Sequence, residues 1–341
     1  MARLGLVGVG RIGAFHAETL HGLAEVGELV VADADPARAR AVAERLGAGT
    51  RWVADVDDLF TAGLDGIAVA APTGAHARLI RRGVEAGVPV FCEKPVAASG
   101  AETAEVADLV EKTGGRVQIG FQRRFDTGYR AARAAVADGS VGWVHTLRGG
   151  TFDPAPPPAE YIATSGGIFK DCGVHDYDAV RWVTGREVVE VYATGSNRGE
   201  AFFARYGDVD TAAAVLRMDD GCLALLSATR YNAAGYDVRL EVLGSRDSVS
   251  AGLDERLPLR SVEPGIGWPE GPAYPGFMER FRDAYTRELA AFVDFAAGRI
   301  DNPCTVADAL EAIYVAEACE LSRAEGRPVR IDEVRVTGVG R

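Results

Sequence analysis

The sequence lacks the features that would place a protein in a membrane or in an oxidising compartment. No run of about 18 apolar residues occurs, so no membrane-spanning helix is predicted. The five cysteines are scattered and include no C-x-x-C pair, which favours reduced thiols over disulfides or a zinc site. Residues 1–5 run directly into a strand pattern without an apolar leader. These absences predict a cytoplasmic protein that binds no metal.

An excess of positive charge is absent as well. There are 37 Lys and Arg residues against 49 Asp and Glu, a net charge of −12, so neither nucleic acid nor an anionic membrane is an expected partner. Lysine is scarce, and the only three are Lys94, Lys112 and Lys170. Because arginine does not release its proton near neutral pH, a lysine within a chemical motif stands out. What is abundant is apolar sequence, 48% of 341 residues, enough for two ordinary globular domains.

The pattern of elements changes near residue 123. Before it, short apolar runs alternate with helical stretches, which is typical of a parallel sheet covered on both faces. After it, successive strand patterns separated by turns indicate a largely antiparallel sheet. We therefore predict an α/β protein with a Rossmann domain over residues 1–123 and an α+β domain over residues 124–341. Helices are predicted at 12–23, 36–46, 75–86, 101–112, 127–137, 168–184, 277–297 and 306–325. Strands are predicted at 4–9, 29–32, 66–71, 88–92, 116–120, 144–150, 188–194, 211–217, 222–229 and 238–243.

A glycine-rich turn follows the first predicted strand and opens the first predicted helix. Its residues are Gly8, Val9, Gly10, Arg11, Ile12 and Gly13. The spacing is that of a dinucleotide-binding turn, in which the helix N-terminus receives a pyrophosphate. Asp33 ends the second strand, where a carboxylate binds ribose hydroxyls and repels a 2′-phosphate, so NAD is expected over NADP. Two alternatives stay open: an ordinary glycine-rich turn, and tolerance of a 2′-phosphate through Arg38.

Two further segments carry residues suited to alcohol oxidation. Lys94, between Glu93 and Pro95, follows a strand at the sheet edge where α/β proteins bind ligands. The proline restricts its neighbour and allows a cis bond. Asp171 and His175 are spaced to share one face of a helix. A histidine suits removal of the hydroxyl proton, and a lysine ammonium suits stabilisation of the alkoxide. Taken alone, an Asp/His pair on a helix is more often structural than catalytic, and a lysine at a strand end is more often solvated than functional.

The order of these motifs resembles the Gfo/Idh/MocA oxidoreductase family over nearly the whole chain. The motifs are Gly8–Gly13, Ala71-Pro72-Thr73 with His76, Glu93-Lys94-Pro95 and Asp171 with His175. Within the family the chain looks most like the inositol 2-dehydrogenase group, and the closer likeness lies at 91–95, 120–126 and 235–237. The resemblance implies a Rossmann domain and a C-terminal domain whose open sheet is used in oligomerisation, so a homotetramer or homodimer is expected.

The resemblance also implies roles for individual residues. Lys94, Asp171 and His175 correspond to the catalytic set, and all three are also expected to bind substrate. Arg123 and Tyr236 correspond to residues that contact the polyol. Residues expected at the NAD cofactor are Gly8, Gly10, Arg11, Ile12, Gly13, Asp33, Thr73, His76, Glu93 and Lys94.

The expected activity is NAD-dependent, reversible oxidation of a secondary alcohol of a cyclitol, with myo- or scyllo-inositol as substrate. The alternatives are a sugar or aminocyclitol dehydrogenase, a glycosidase that uses NAD, and a non-catalytic NAD-binding regulator. The segment 150–154 departs from the resemblance because it lacks a histidine that some inositol dehydrogenases place beside the substrate. Asp153 is expected to cap a turn rather than to replace that contact. Asp178 is open between substrate contact and structural pairing, whereas His16, His21 and Cys172 are interpreted as structural.

Overall fold

A computed structural model describes residues 1–336, and its residues form two compact units. The first unit contains residues 1–122 and 283–310, together with residue 336. The second contains residues 123–282 and 311–335. The sequence placed the whole of 124–341 in the second domain. The structure differs for residues 283–310, which group with the first unit, while residues 337–341 of that expectation lie outside the described residues.

The first unit is built on a six-stranded parallel sheet, as predicted for a Rossmann domain. The strands in chain order are β1 (Ala2–Val7), β2 (Val26–Ala32), β3 (Thr50–Trp52), β4 (Gly66–Val69), β5 (Val90–Glu93) and β6 (Val117–Gly120). Their order in the sheet is β3-β2-β1-β4-β5-β6. This is the doubly wound order in which ligands bind beyond the carboxyl ends of the strands, where the strand order reverses.

The helices that connect these strands begin and end at recognisable signals. They are α1 (Arg11–Gly22), α2 (Pro36–Leu46), α3 (His76–Glu85) and α4 (Gly100–Thr113). The Asp35 carboxylate caps α2 by accepting the N–H of Ala37 at 3.0 Å, and Pro36 occupies the first helical turn. Ser99 caps α4 through the N–H of Glu102, and the left-handed Gly114 ends it.

The second unit is built on a seven-stranded mixed sheet. Its strands are β7 (Val144–Phe152), β8 (Val188–Ser196), β9 (Thr211–Met218), β10 (Leu223–Thr229), β11 (Asp237–Gly244), β12 (Ser248–Ala251) and β13 (Val329–Arg330). The order is β12-β11-β7-β10-β9-β8-β13. Every neighbouring pair is antiparallel except β7 with β10, so the predicted largely antiparallel sheet is confirmed.

The helices of the second unit are α5 (Thr127–Ala137), α6 (Ala159–Ser165), α7 (Val174–Thr184), α8 (Phe202–Arg205) and α9 (Phe277–Arg280). The helix predicted over 168–184 is present but not uniform, because residues 169–173 form a π-helical turn that runs directly into α7. Two glycines in positive φ, Gly166 at 81° and Gly167 at 88°, precede this turn. The helix predicted over 277–297 is divided, into α9 and α10 (Arg282–Ala296).

The last elements within residues 1–336 are α11 (Val306–Glu325), β13 and a 3₁₀ turn at Ile331–Glu333, and α11 has residues in both units. The place of 283–310 in the first unit follows from α10. Its Leu289, Phe292 and Val293 belong to the same buried cluster as Leu4 and Phe91 of the first sheet. Burying such side chains is worth about 1.5–3 kcal/mol each, which attaches α10 to the Rossmann core. Within residues 1–336 no helix is long and apolar enough to cross a bilayer.

Candidate active site

The glycine turn after β1 has the backbone that a dinucleotide site requires. Gly8 lies at φ 87°, and a Cβ there would come within 2.7 Å of the carbonyl oxygen of Ala70. A Cβ on Gly13 would lie 2.0 Å from the carbonyl oxygen of Gly8. Side chains are therefore excluded at both positions, and the start of α1 packs directly against the end of β1.

The N-terminus of α1 is open on the side where a ligand would lie. A Cβ on Gly10 would meet none of the described atoms within 4 Å. No described side chain caps α1, whose first residues are Arg11 and Ile12. Helix N-termini carry unsatisfied N–H groups and a partial positive charge, so this end fits a pyrophosphate. The residues present are those that NAD needs.

Asp33 directly follows β2 and joins the glycine turn to the strand end. Its Oδ2 accepts the N–H of Val9 at 2.8 Å, and its Oδ1 accepts the N–H of Asp35 at 2.9 Å. Each carboxylate oxygen has a second lone pair, so the group keeps capacity for ribose hydroxyls. Arg38 of α2 lies 3.5 Å from the carboxylate of Asp35, which is two residues after Asp33, and both side chains of the pair are exposed.

Lys94 follows β5 at the carboxyl edge of the sheet, and its bond to Pro95 is cis, an alternative that the sequence left open. Thr73 begins a single 3₁₀ turn after β4. His76, at the start of α3, is only 2% exposed. Its Nδ1 lies 2.7 Å from the carbonyl oxygen of Pro95, and its Nε2 lies 2.7 Å from that of Ala71. The ring therefore joins the two loops, and both of its nitrogens are used within the first unit.

Glu93, the last residue of β5, has a partner that sequence reasoning missed. His16 of α1 is fully buried, and its Nε2 lies 2.6 Å from the Glu93 Oε1. The aromatic rings of Phe15, Phe91 and Tyr285 surround the imidazole. The sequence did contain a pattern that indicates such a partner. Residue 16 falls on the buried face of α1, which is formed by residues 13, 17 and 20. A histidine on an apolar face needs a polar partner.

Asp171 lies in the π turn and is held from two sides. Its Oδ1 accepts the hydroxyl of Tyr161 at 2.8 Å, and its Oδ2 accepts Nη2 of Arg230 at 2.7 Å. Burial raises the pKa of the Tyr161 phenol, and the Asp171 carboxylate raises it further, so the phenol stays a donor. Single π turns are frequent at functional sites. His175, the second residue of α7, is half-buried close by in the chain.

Arg230 joins Asp171 to Asp153, and sequence reasoning found no role for it. The guanidinium is 4% exposed and donates Nη1 to the Asp153 Oδ2 at 2.8 Å. Burial acts to lower the pKa of Arg230, but the neighbouring Cys172 and the two carboxylates raise it above its ordinary value. The thiol of Cys172 also points at Asp153, with 3.7 Å between sulfur and oxygen. Asp153, expected to cap a turn, is thus paired with a buried guanidinium.

Arg123 and Asp178, which the sequence singled out, are both in buried ion pairs. Arg123 donates Nη1 to Asp176 at 2.5 Å and Nη2 to Thr151 at 2.6 Å. Burial opposes the charge of Arg123, yet Asp176 raises its pKa above the ordinary value. Asp178 accepts two hydrogen bonds from Arg124, at 2.6 and 3.0 Å. The structure therefore shows structural pairing for Asp178.

Tyr236 lies in the same polar region as Arg123. Burial raises the pKa of its phenol well above the ordinary value, while the charge of Arg123 acts to lower it and that of Asp153 acts to raise it. The side chain is 5% exposed. The second unit thus gathers Arg123, Asp153, Asp171 and Tyr236 among charged groups that act on one another.

Comparison with known proteins defines the class. The model of the oxidoreductase family with an NAD-binding Rossmann fold matches residues 2–121, and that of the GFO/IDH/MocA C-terminal domain matches residues 129–250. The chain belongs to the Gfo/Idh/MocA family of oxidoreductases, and it is an NAD-dependent dehydrogenase.

Some individual relatives have names that state a substrate, which the family models do not. The chain is 41% identical over 323 residues to the myo-inositol dehydrogenase Hyg17 of Streptomyces leeuwenhoekii, covering 94% of this chain and 97% of that protein. A probable dehydrogenase from Thermotoga maritima superposes with a TM-score of 0.90 at 34% identity, covering 97% and 100% of the two chains. The scyllo-inositol dehydrogenase of Lactobacillus casei, solved with NAD(H) and scyllo-inositol, gives 0.86 at 30% identity over 97% and 99%.

Proposed function

We propose that this dehydrogenase oxidises a secondary alcohol of a cyclitol to the ketone, with myo- or scyllo-inositol as substrate, and that the reaction is reversible. The observation that carries the proposal is the support around Asp171. Tyr161 and Arg230 hold both of its carboxylate oxygens, four residues before His175. A carboxylate fixed this close to a histidine in the chain suits proton abstraction from a hydroxyl, because it can orient the imidazole.

The chemistry divides among three side chains. His175 takes the hydroxyl proton, and Asp171, paired with Arg230, stabilises the imidazolium that results. Lys94 stabilises the developing alkoxide with its ammonium group. Bound NAD supplies the acceptor for the hydride that leaves the carbon. Residues of the glycine turn, Asp33, Thr73, His76 and Glu93 are our candidates for forming and supporting the cofactor site.

A polyol substrate suits the remaining polar groups of the second unit. Arg123 and Tyr236 are our candidates for binding its hydroxyls, and the charge of Arg123 acts directly on the Tyr236 phenol. Sites built from buried hydrogen-bonding groups reject analogues that lack the matching hydroxyl, since those groups are then left unpaired. Such a site favours a ring bearing many hydroxyls over a simple alcohol.

The outer face of the second sheet supports a homo-oligomer, either a dimer or a tetramer. Tyr192, Val215 and Leu225 lie side by side on β8, β9 and β10, and each is 39–46% exposed. Adjacent apolar side chains on one face are typical of an association surface. Light scattering is expected to show an oligomer that Val215→Glu weakens. None of the five cysteines, all of which lie among the described residues, is in a disulfide, and this fits a reducing cytoplasm.

The test follows NADH formation with NAD or NADP against a panel of inositols, aminocyclitols and hexoses. We expect turnover of an inositol with NAD and its loss in Lys94→Ala, with NAD still bound in calorimetry. Lys112→Ala is the matched control, because that lysine is 72% exposed on α4 and pairs only with the nearby Asp108 among the described residues. It is expected to keep full activity.

The other outcomes are equally informative. Turnover of a hexose or an aminocyclitol, with no inositol accepted, would replace the substrate and keep the chemistry. Normal NAD binding with no turnover across the panel would contradict the proposal and favour a regulator. NAD that stays bound during glycoside cleavage, with no net NADH released, would favour the glycosidase alternative.

A further inference from the structure

The segment Glu93-Lys94-Pro95 is held on both sides by buried histidines from two different helices. His16 of α1 contacts the Glu93 carboxylate before the lysine, and His76 of α3 contacts the Pro95 carbonyl after it. We infer that His16 and His76 are positioning residues that set the location of the Lys94 ammonium. The inference rests on the proposed role of Lys94 in the reaction.

His16 is placed to act on Glu93 and on little else that is polar. The ring is fully buried, Nε2 lies 2.6 Å from Oε1, and no hydrogen-bond partner of Nδ1 occurs among the described residues. Burying a polar ring among aromatic side chains costs free energy unless it is hydrogen-bonded. A phenylalanine would fill the same space among Phe15, Phe91 and Tyr285 without that cost. The presence of histidine therefore points to its bond with Glu93.

His76 acts on the other side through the main chain. It joins the carbonyl oxygen of Pro95 to that of Ala71, each at 2.7 Å, and is 2% exposed. Both partners are carbonyl oxygens, which only accept hydrogen bonds, so the donor in this contact is an N–H of the ring. A buried ring within hydrogen-bond distance of both oxygens fixes the loop after β5 against the loop after β4.

The two helices that carry these histidines also begin at the expected cofactor loops. α1 starts immediately after the glycine turn, and α3 starts after the turn that contains Thr73. Lys94 is thus fixed relative to both loops by one side chain from each helix. A misplacement of about 1 Å in a reacting group can cost roughly 10²-fold in rate, so rigid support of this segment matters for the hydride step.

The experiment compares substitutions that keep or remove the donor. His16→Gln retains an N–H for Glu93, whereas His16→Phe keeps the packing and loses the donor; His76→Gln and His76→Leu form the equivalent pair. We expect Phe and Leu to lower kcat by roughly 10- to 100-fold, with NAD affinity changed less than about threefold in His16→Phe, and Gln to restore part of the loss. The control is His21→Gln, which lies on the same helix and bonds Thr50 at 2.9 Å.

A second readout does not depend on activity. The chain has three lysines, so ε-¹³C-lysine labelling gives three signals that single substitutions assign. In the protein without cofactor, the Lys94 signal is expected to move towards that of exposed Lys112 in His16→Phe and His76→Leu, and to stay unchanged in His21→Gln. Retention of wild-type kcat and an unmoved Lys94 signal in both donor-free variants would overturn the inference. If wild-type enzyme turned over no polyol while the signal moved, the proposed function would fail and the positioning would stand.

Discussion

The candidate residues of the two units are held in different ways. In the first unit, the glycine turn is shaped by backbone conformation, and main-chain N–H and C=O groups hold Asp33 and His76. In the second unit, side chains hold side chains: Arg230 joins Asp153 and Asp171, and Arg123 joins Thr151 and Asp176. A backbone-built site is sensitive to added atoms. A site built from buried charges is sensitive to the loss of one partner.

The largest effect is expected where a buried charge loses its partner. Asp176→Ala leaves the Arg123 guanidinium, 2% exposed, without its carboxylate. We expect a loss of about 3–5 kcal/mol in the free energy of unfolding, measured by chemical denaturation. Asp283→Ala is the control, since that carboxylate is 85% exposed and 3.9 Å from Arg287, and it should change stability by less than about 0.5 kcal/mol. If the two substitutions lowered the free energy of unfolding equally, the second unit would not depend on its buried ion pairs in the way proposed.

The next effect tests the backbone-built site. Gly13→Ala places a Cβ 2.0 Å from the carbonyl oxygen of Gly8, and we expect about 1–3 kcal/mol of destabilisation together with loss of NAD binding. Gly10→Ala places its Cβ in open space, and the φ of −65° is one that alanine adopts readily, so the melting temperature should stay unchanged. Its methyl group would nevertheless obstruct a pyrophosphate, and calorimetry should show weaker NAD binding. Unchanged NAD affinity in Gly10→Ala would contradict the assignment of this turn.

A third comparison lies within the second unit. Arg230→Lys cannot reproduce the planar fork that reaches two carboxylates, so we expect kcat to fall by roughly 10- to 100-fold, from the loss of a charged hydrogen bond. Tyr161→Phe removes one hydrogen bond from a side chain that is 43% exposed, and we expect a fall of less than about tenfold. Steady-state kinetics on the accepted cyclitol decide the order, and a larger effect at Tyr161 would make the phenol, not the guanidinium, the main support of Asp171.

The smallest effect concerns cofactor choice. Asp33→Ala removes the carboxylate expected to repel a 2′-phosphate, so the preference for NAD over NADP should narrow while kcat with NAD changes little. Some loss of stability accompanies it, because the N–H groups of Val9 and Asp35 lose their acceptor. The ratio of kcat/KM for the two cofactors is the measurement. An unchanged ratio would mean that Arg38 or another group sets the preference.

Local signals predicted much of the fold. The helices at 36–46, 127–137 and 306–325 have the bounds that capping residues and apolar periodicity indicated. Short elements such as β3, α6 and β12 were missed, because three to seven residues carry too little periodicity to identify. The π turn at 169–173 was missed because a pattern that continues at helical spacing conceals one extra residue in a turn.

The sequence by itself determined the alternation of strands and helices in the Rossmann domain, the glycine turn and Asp33, because each depends on the conformation of a few consecutive residues. It also identified Lys94, Asp171 and His175 as chemically suited residues. Only the tertiary structure decided what holds them: His16 lies 77 residues from Glu93, and Arg230 lies 59 from Asp171. It also decided that 283–310 join the first unit. These hydrogen-bond and ion-pair partners depend on how distant segments of the chain pack together. A local pattern of residues does not specify which buried charged groups form a pair.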